Sequence, residues 1–225
     1  MNSLLAPALN EPTYQRVKRA IVGDLITHGF QPGDHLTIDM LTTRYNVSHM
    51  PIREALRQLE GEGILVSLAH KGFRIEAVSG NYISNMYDIR AGLESMLTRR
   101  GAEKATYADI EDLAAIHDAY AGSVENGDSA ACVSLNIEFH DRLYSIADNP
   151  QAMQLLAART LIVRTVSQSL EPFIGDDRKP IVAEHAAILD AVRRVDFDDC
   201  DRAIWAHMTN ARDRLLARME QTGLL

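Results

Sequence analysis

The sequence predicts a mainly α-helical protein, in which a winged helix-turn-helix of three helices plus a β-hairpin precedes an all-α antiparallel bundle of about six helices. Over residues 12–78, three segments with helical spacing of apolar residues are followed by two short β-rich runs joined at a glycine. Over residues 79–225 the helical spacing continues with short breaks, and no strand-like alternation appears. Residues 1–11 are therefore assigned to a tail, 12–78 to a first domain and 79–225 to a second.

The composition is that of an ordinary globular protein. Of the 225 residues, 46% are hydrophobic and 24% are charged, and the only cysteines are Cys132 and Cys200. Two cysteines form no disulfide framework and have no metal-binding spacing. The first residues do not resemble a signal peptide, and no apolar run has the length that a transmembrane helix needs. We therefore expect a cytoplasmic protein that does not associate with a membrane.

The net charge of −8 is distributed unevenly between the two predicted domains. Residues 12–78 contain eight Lys or Arg and seven Asp or Glu, which leaves a charge of +1. Residues 79–225 contain fifteen Lys or Arg and twenty-three Asp or Glu, which leaves −8. Only the first domain can therefore approach phosphates without strong repulsion.

The elements of the first domain follow from its periodicity and its turn residues. The segment "TYQRVKRAIVGDLITHG" has helical spacing and is expected to end at Gly29, before the turn "QPGD". Thr37 or Asp39 can begin a short helix that runs to Arg44. Ser48 is then expected to cap the helix "HMPIREALRQLEGEG". The run "ILVSLAHKGFRIEAV" predicts the hairpin.

The second helix of a helix-turn-helix enters the major groove of DNA at its N-terminal end. Arg53, one turn into this helix, can bind a phosphate or a guanine edge, and Lys71 at the hairpin tip can bind a phosphate. From the residues alone, a winged helix that only contacts proteins, with Arg53 paired to Glu54, remains an alternative. The predicted DNA-binding residues are Ser48, His49, Met50, Pro51, Arg53, His70, Lys71 and Gly72.

The run "NVSHMPIREALRQLEGEG" is the most specific part of a wider similarity. Residues 14–78 resemble the N-terminal domain of the GntR superfamily of bacterial transcription regulators, which implies binding to double-stranded operator DNA. The recognition helix of that family usually begins with Ser-Arg, whereas here it begins with Ser48 and His49. Asp39 stands where some relatives have an arginine, so Arg44 becomes the nearby candidate for a phosphate contact.

Six amphipathic helices are predicted in the second domain, near 79–100, 106–124, 128–147, 150–170, 178–194 and 197–220. The predicted breaks are at Gly101, "NGD", Asn149-Pro150, "EPFIGDDRKP" and "VDFDD".

Three histidines fall on or beside the apolar faces of three different helices. His185 and His207 lie within their apolar stripes, and His140 lies with Asn136 at the edge of another. Each can be an ordinary core imidazole that is satisfied by a hydrogen bond. A divalent metal would instead satisfy all three at once, and Asn136 would add an oxygen one turn from His140.

The segments "NIEFHDRLYSIADNP", "EHAAILDAV" and "AIWAHM" look like the FCD ligand-binding domain of FadR-type GntR regulators, over about 79–220. This resemblance implies a divalent metal ion, of the zinc, nickel or manganese class, bound by Asn136, His140, His185 and His207. Asparagine replaces the aspartate that is common at the first position. In the family, the remaining coordination positions hold water or the carboxylate of a small effector.

Arg90 lies among apolar stripe neighbours, so its guanidinium is expected to point inward and bind an effector carboxylate. An internal ion pair with Glu94, four residues on, is the alternative. Arg164 is a second candidate for the effector.

These features together predict a one-component transcription regulator, a repressor that binds a palindromic operator as a homodimer. A small organic acid at the metal and Arg90 would change the placement of the DNA-binding domains through the linker 77–80. One rival is a metalloenzyme with a three-histidine site, although no nucleophile or general base is placed beside the ligands. A DNA-binding protein with a purely structural metal is another rival.

Overall fold

Three helices and a three-stranded sheet make up the N-terminal part of the protein. The computed structural model describes residues 11–26, 29–30, 33–68, 71–75, 79–170 and 178–225, apart from the side chains at 26, 158, 159, 161, 162, 164, 165, 168 and 169. The N-terminal elements are α1 (Thr13–Ile26), β1 (His35–Leu36), α2 (Ile38–Tyr45), α3 (His49–Gly61), β2 (Leu65–Leu68) and β3 (Gly72–Ile75). The predicted winged helix-turn-helix order is confirmed.

The turn between α2 and α3 is set by residues at the helix ends. Thr37 caps α2 by accepting a hydrogen bond from the backbone N–H of Met40, and Asn46 ends that helix at φ 52°. Asparagine tolerates this left-handed conformation better than most residues. Helix α3 packs against α1, α2 and β2. Its fully buried apolar residues are Ile52, Ala55, Leu56 and Leu59.

Strand β3 is the centre of the sheet and pairs in antiparallel fashion with both β1 and β2. Strand β1 was not predicted, because two residues are too short to show a period-two pattern. Gly72, at φ 89°, is required where β3 meets β1. A Cβ atom at this position would lie 2.5 Å from the backbone oxygen of Leu36.

Six helices follow, and the predicted all-helical second part is confirmed. They are α4 (Gly80–Lys104), α5 (Tyr107–Glu125), α6 (Ser129–Ser145), α7 (Pro150–Ser169), α8 (Lys179–Arg194) and α9 (Phe197–Gln221). The predicted break at Gly101 is wrong, because α4 continues to Lys104. Glycine serves close packing there: an added Cβ would lie 3.2 Å from the backbone oxygen of Leu143 in α6.

Helix α5 packs against both α6 and α8 and so brings together two of the helices that carry the predicted metal ligands. A capping box fixes the start of α5. Thr106 accepts from the backbone N–H of Asp109, and the Asp109 carboxylate accepts from the backbone N–H of Thr106. Arg142 of α6 also donates to Asp109.

The chain divides into two compact units. The first comprises the described residues within Met1–Ile83, Leu161–Pro172 and Met219–Leu225, and the second those within Ser84–Thr160 and Phe173–Arg218. The domain boundary placed after residue 78 stays a prediction. Among the helices described, none combines the length and the apolar character needed to cross a membrane.

Candidate metal centre and DNA-binding surface

Helices α6, α8 and α9 bring the three predicted histidines together. One potential ligand atom from each of His140, His185 and His207 lies within 4.8 Å of the other two. The ring centroids are 5.0 Å apart for His140 and His185, 5.0 Å for His140 and His207, and 5.2 Å for His185 and His207. The side chains are 8%, 0% and 4% exposed, respectively. His185 and His207, which follow His140 by 45 and 67 positions, thus lie in one buried cluster with it.

His185 is the residue that tests whether a metal fits this cluster. Both of its ring nitrogens are buried and make no hydrogen bond to any of the described residues. Its ring stacks on Phe139, with centroids 4.4 Å apart and planes inclined by 13°, and lies 5.0 Å from the ring of Tyr120. Burial lowers the pKa of His185 well below its ordinary value, so the imidazole is neutral. A neutral, desolvated nitrogen without a partner is what a metal ligand requires, and the residues present therefore fit the ion.

His140 is connected to a buried ion pair through a tyrosine. Its Nδ1 lies 3.0 Å from the hydroxyl oxygen of Tyr144. That hydroxyl donates to Glu94, whose other carboxylate oxygen accepts from Arg90 Nε at 2.8 Å. Burial, followed by the charge of Glu94, raises the pKa of Tyr144 well above its usual value, so the hydroxyl keeps its proton.

His207 is connected directly to a carboxylate. Its Nδ1 lies 2.7 Å from Glu184 Oε2. Arg214 donates to both oxygens of Glu184, at 2.8 and 2.9 Å, and Asn210 donates to Oε1 at 2.9 Å. Burial alone would raise the pKa of Glu184, but the hydrogen bonds from His207 and Arg214 outweigh it and hold that pKa at about 2.

Asn136 lies one turn before His140 on α6 and is half-buried. Within the described part of the chain, its side chain makes no hydrogen bond. Its role as a fourth ligand stays a prediction.

The two predicted effector residues have different outcomes. Arg90 pairs with Glu94, which is the alternative that the spacing allowed, and its guanidinium lies 5.2 Å from the Tyr87 ring centroid. Its predicted contact with an effector carboxylate stays a prediction. The side chain of Arg164 lies outside the described residues.

The first turn of α3 is the exposed surface expected to bind DNA. Ser48, His49 and Arg53 are exposed, and the side chain of Met50 is 74% exposed. No ion pair of Arg53 is found among the described residues, so the alternative in which Arg53 pairs with Glu54 is not observed. His49 Nε2 lies 3.5 Å from Asp39 Oδ1 on α2.

Ser48 occupies the N-cap position, as predicted, but its hydroxyl makes no capping hydrogen bond. A cap side chain can accept from the backbone N–H of the second or third helical residue. Pro51 stands at the third position and has no N–H, so only the N–H of Met50 remains as a possible donor. Ser48 is exposed and lies at the N-terminus of α3, and such a position favours the binding of an anion.

Arg44 has an internal partner, which the sequence did not indicate. Its Nε lies 2.6 Å from Asp24 Oδ2, and its guanidinium lies 4.7 Å from the Phe30 ring centroid. Tyr45 donates to the same Asp24 oxygen at 2.8 Å. The predicted phosphate contact of Arg44 stays a prediction, and a structural role is evident.

At the wing, Lys71 is exposed at the hairpin turn. His70 lies outside the described residues. The close approach to Leu36 gives Gly72 a structural role, and its predicted contact with DNA stays a prediction.

The sequence did not predict the residues that hydrogen-bond to the histidines, Tyr144 and Glu184. One signal was present: Tyr144 follows His140 by four residues, the spacing that places two side chains on one helix face. Glu184 precedes His185 in sequence yet contacts His207 on another helix, and no local pattern could have indicated that pairing.

Comparison with known proteins covers both parts of the chain. Residues 13–75 match the family "Bacterial regulatory proteins, gntR family", and residues 85–210 match the FCD domain. The Nta operon transcriptional regulator of Aminobacter aminovorans is 27% identical over 85% of this chain and 89% of its own length. The transcriptional repressor NanR of Escherichia coli is 26% identical over 92% of this chain and 82% of its own.

Solved structures share the fold. E. coli McbR/YncC superposes with a TM-score of 0.65 at 20% sequence identity, over 94% of this chain and 99% of that one. A GntR regulator from Rhodococcus sp. RHA1 has a TM-score of 0.57 at 18% identity, over 91% of this chain and 97% of that one.

Proposed function

The chain belongs to the GntR family of bacterial regulatory proteins and carries a C-terminal FCD domain, and from this premise we propose that it is a repressor whose operator binding is controlled by a small carboxylate at a metal site. Its relatives are transcription regulators and not enzymes, so the metalloenzyme rival is set aside. The relative NanR, which aligns with most of this chain, is named a repressor, and this supports repression rather than activation.

The exposed start of α3 supports the proposed DNA contact. Ser48, His49, Met50, Pro51 and Arg53 would lie in the major groove, with Lys71 of the wing on a neighbouring phosphate. A homodimer would place two such helices in successive major grooves of a palindromic operator.

The unpartnered nitrogens of His185 carry the proposal of a metal site. His140, His185 and His207 would hold a divalent ion of the zinc, nickel or manganese class, and Asn136 would add a neutral oxygen. When bound, such an ion supplies open coordination positions for an anionic oxygen.

The charges around the histidines support an anionic effector. Glu94 is paired with Arg90, and Glu184 is paired with Arg214. Neutral imidazoles and an amide would leave the charge of a divalent ion uncompensated, and a buried uncompensated charge is unfavourable. A small carboxylate would offset part of that charge, and Arg90 lies on the His140 side, connected to it through Glu94 and Tyr144.

The DNA-binding part is tested by selecting double-stranded sequences from a random pool with the wild-type protein and with Arg53→Ala. We expect the wild type to enrich a palindrome and the variant to lose specific footprints while keeping its metal content. Retained footprints in Arg53→Ala would contradict the assignment of α3.

The metal and effector parts are tested together by metal analysis and a thermal-shift screen. His140→Ala and His207→Ala should each lower bound metal, and stoichiometric metal in the double variant would refute the site. On metal-loaded protein, the correct small carboxylic acid should raise the melting temperature, because ligand binding stabilises the native state. Unfolding by chelators without any response to carboxylic acids would instead indicate a structural metal.

A further inference from the structure

Hydrogen bonds fix the proton position on His140. An ionised carboxylate only accepts hydrogen bonds, so the single proton of the Tyr144 hydroxyl is committed to Glu94. The Tyr144 oxygen must then accept from His140 Nδ1, which lies 3.0 Å away. His140 Nδ1 therefore carries a proton, and in a neutral His140 the lone pair is on Nε2.

The same reasoning applies to His207 through a different group. Arg214 donates to both oxygens of Glu184 and Asn210 donates to one of them, so the group is bound as a carboxylate by three donors. Glu184 Oε2 can only accept, so His207 Nδ1, 2.7 Å away, carries a proton. In a neutral His207, Nε2 again holds the lone pair.

His185 is held by another means. No hydrogen bond fixes its tautomer, and its orientation comes from packing against the rings of Phe139 and Tyr120. Two ligands of the candidate site are thus oriented by hydrogen bonds, and the third is oriented by aromatic contact.

We propose that Tyr144 and Glu184 are positioning residues of the metal site, which hold His140 and His207 as Nδ1–H tautomers so that both present Nε2 to the ion. The proposal rests on the metal site proposed above. A histidine whose second nitrogen donates to an oxygen is a stronger and better oriented ligand, and losing such an outer partner commonly lowers metal affinity by about 10–100-fold. Arg90 and Arg214 contribute by pairing with the two carboxylates and holding them in place.

The contacts of Tyr144 with His140 and of Glu184 with His207 can be tested separately by mutation. Tyr144→Phe removes one hydroxyl and leaves the Glu94–Arg90 pair. Glu184→Gln offers His207 an amide that can rotate and donate to Nδ1, which would move the proton to Nε2. Tyr120→Phe is the matched control, because Tyr120 is also buried and lies beside His185, yet its hydroxyl makes no hydrogen bond within the described residues.

The first measurement is zinc affinity by chelator competition. Tyr144→Phe and Glu184→Gln should each bind zinc about 10–100-fold more weakly than the wild type, and Tyr120→Phe should bind as the wild type does. The second is the tautomer of each histidine, read from ring nitrogen chemical shifts of ¹⁵N-labelled, metal-free protein. Tyr144→Phe should change His140 alone, and Glu184→Gln should change His207 alone.

The possible outcomes distinguish the positioning roles of Tyr144 and Glu184 from the metal site on which they depend. If the wild type binds zinc and both variants match its affinity, or if neither variant changes a tautomer, the positioning roles are wrong and the metal site stands. If the wild type binds no zinc, the metal site itself is wrong and the positioning roles fall with it. Equal losses in all three variants, Tyr120→Phe included, would indicate general loosening of the core and would also overturn the positioning roles.

Discussion

Arg44 Nε lies 2.6 Å from Asp24 Oδ2 and joins the end of α2 to α1. Asp24 is buried, so removing its cationic partner leaves a desolvated carboxylate with Tyr45 as its remaining donor among the contacts described. Arg44→Ala should lower the free energy of unfolding by about 1.5–3 kcal/mol, measured by urea denaturation. The salt dependence of DNA binding then tests the predicted phosphate contact of Arg44. A salt slope reduced by about one would support that contact, and an unchanged slope would leave Arg44 with a structural role alone.

Gly72→Ala should weaken the wing. The backbone at φ 89° disfavours a side chain, and the added Cβ would meet the Leu36 oxygen at 2.5 Å. We expect a loss of about 1–3 kcal/mol or more in unfolding free energy, and faster amide exchange in β1 and β3. Gly61→Ala is the control, since no atom lies within 4 Å of its added Cβ. Equal stability of the two variants would contradict the packing argument.

Asp109→Asn should change how stability depends on pH. Hydrogen bonds from Thr106 and Arg142 lower the pKa of Asp109 to about 2, below the ordinary value of about 4 for an aspartate. The unfolded chain therefore takes up this proton at higher pH than the folded protein. The stabilisation is complete above about pH 4 and disappears as pH falls toward 2.

The measurement for Asp109→Asn is the melting temperature between pH 7 and pH 2. The variant should be less stable than the wild type at pH 7, and the difference should shrink on acidification. Glu111→Gln changes an exposed residue on the same helix, and its difference in melting temperature from the wild type should not shrink as pH falls. A constant difference between Asp109→Asn and wild type at every pH would refute the role of the charge.

His49→Arg should alter base preference more than affinity for random DNA. His49 is at the start of α3, and an arginine there can form the two hydrogen bonds that select guanine. Selection from a random pool should show a shift toward guanine in each half-site. An unchanged consensus for His49→Arg would mean that His49 does not face a base.

Lys71→Ala should weaken binding to all DNA sequences without changing the base preference, since phosphate contacts carry no sequence information.

Much of the fold could be predicted because its signals are local. Helix periodicity, Thr37 and the breaks between helices located most elements to within a few residues. Strand β1 was missed because its pairing with β3 is the only feature that defines it. Gly101 was misread because a glycine that permits close packing looks the same in sequence as one that ends a helix.

The candidate metal cluster was predictable only in part. Apolar stripes indicated that His185 and His207 point inward, but they did not specify the 4.8 Å grouping. Arg44 and Glu184 show the limit most clearly. Each makes its decisive contact with a side chain at least twenty positions away, on another helix, and such contacts depend on packing geometry.

Besides lacking an N–H that a cap side chain could use, Pro51 also restricts the backbone of the first turn of α3. Its ring fixes the backbone angle φ near −65°, so the first turn of α3 has few alternative conformations even without a cap. The chain entropy of that turn is therefore lost when the protein folds and does not have to be lost again when the helix meets DNA. The first turn of α3 would therefore lose little further conformational entropy on binding DNA.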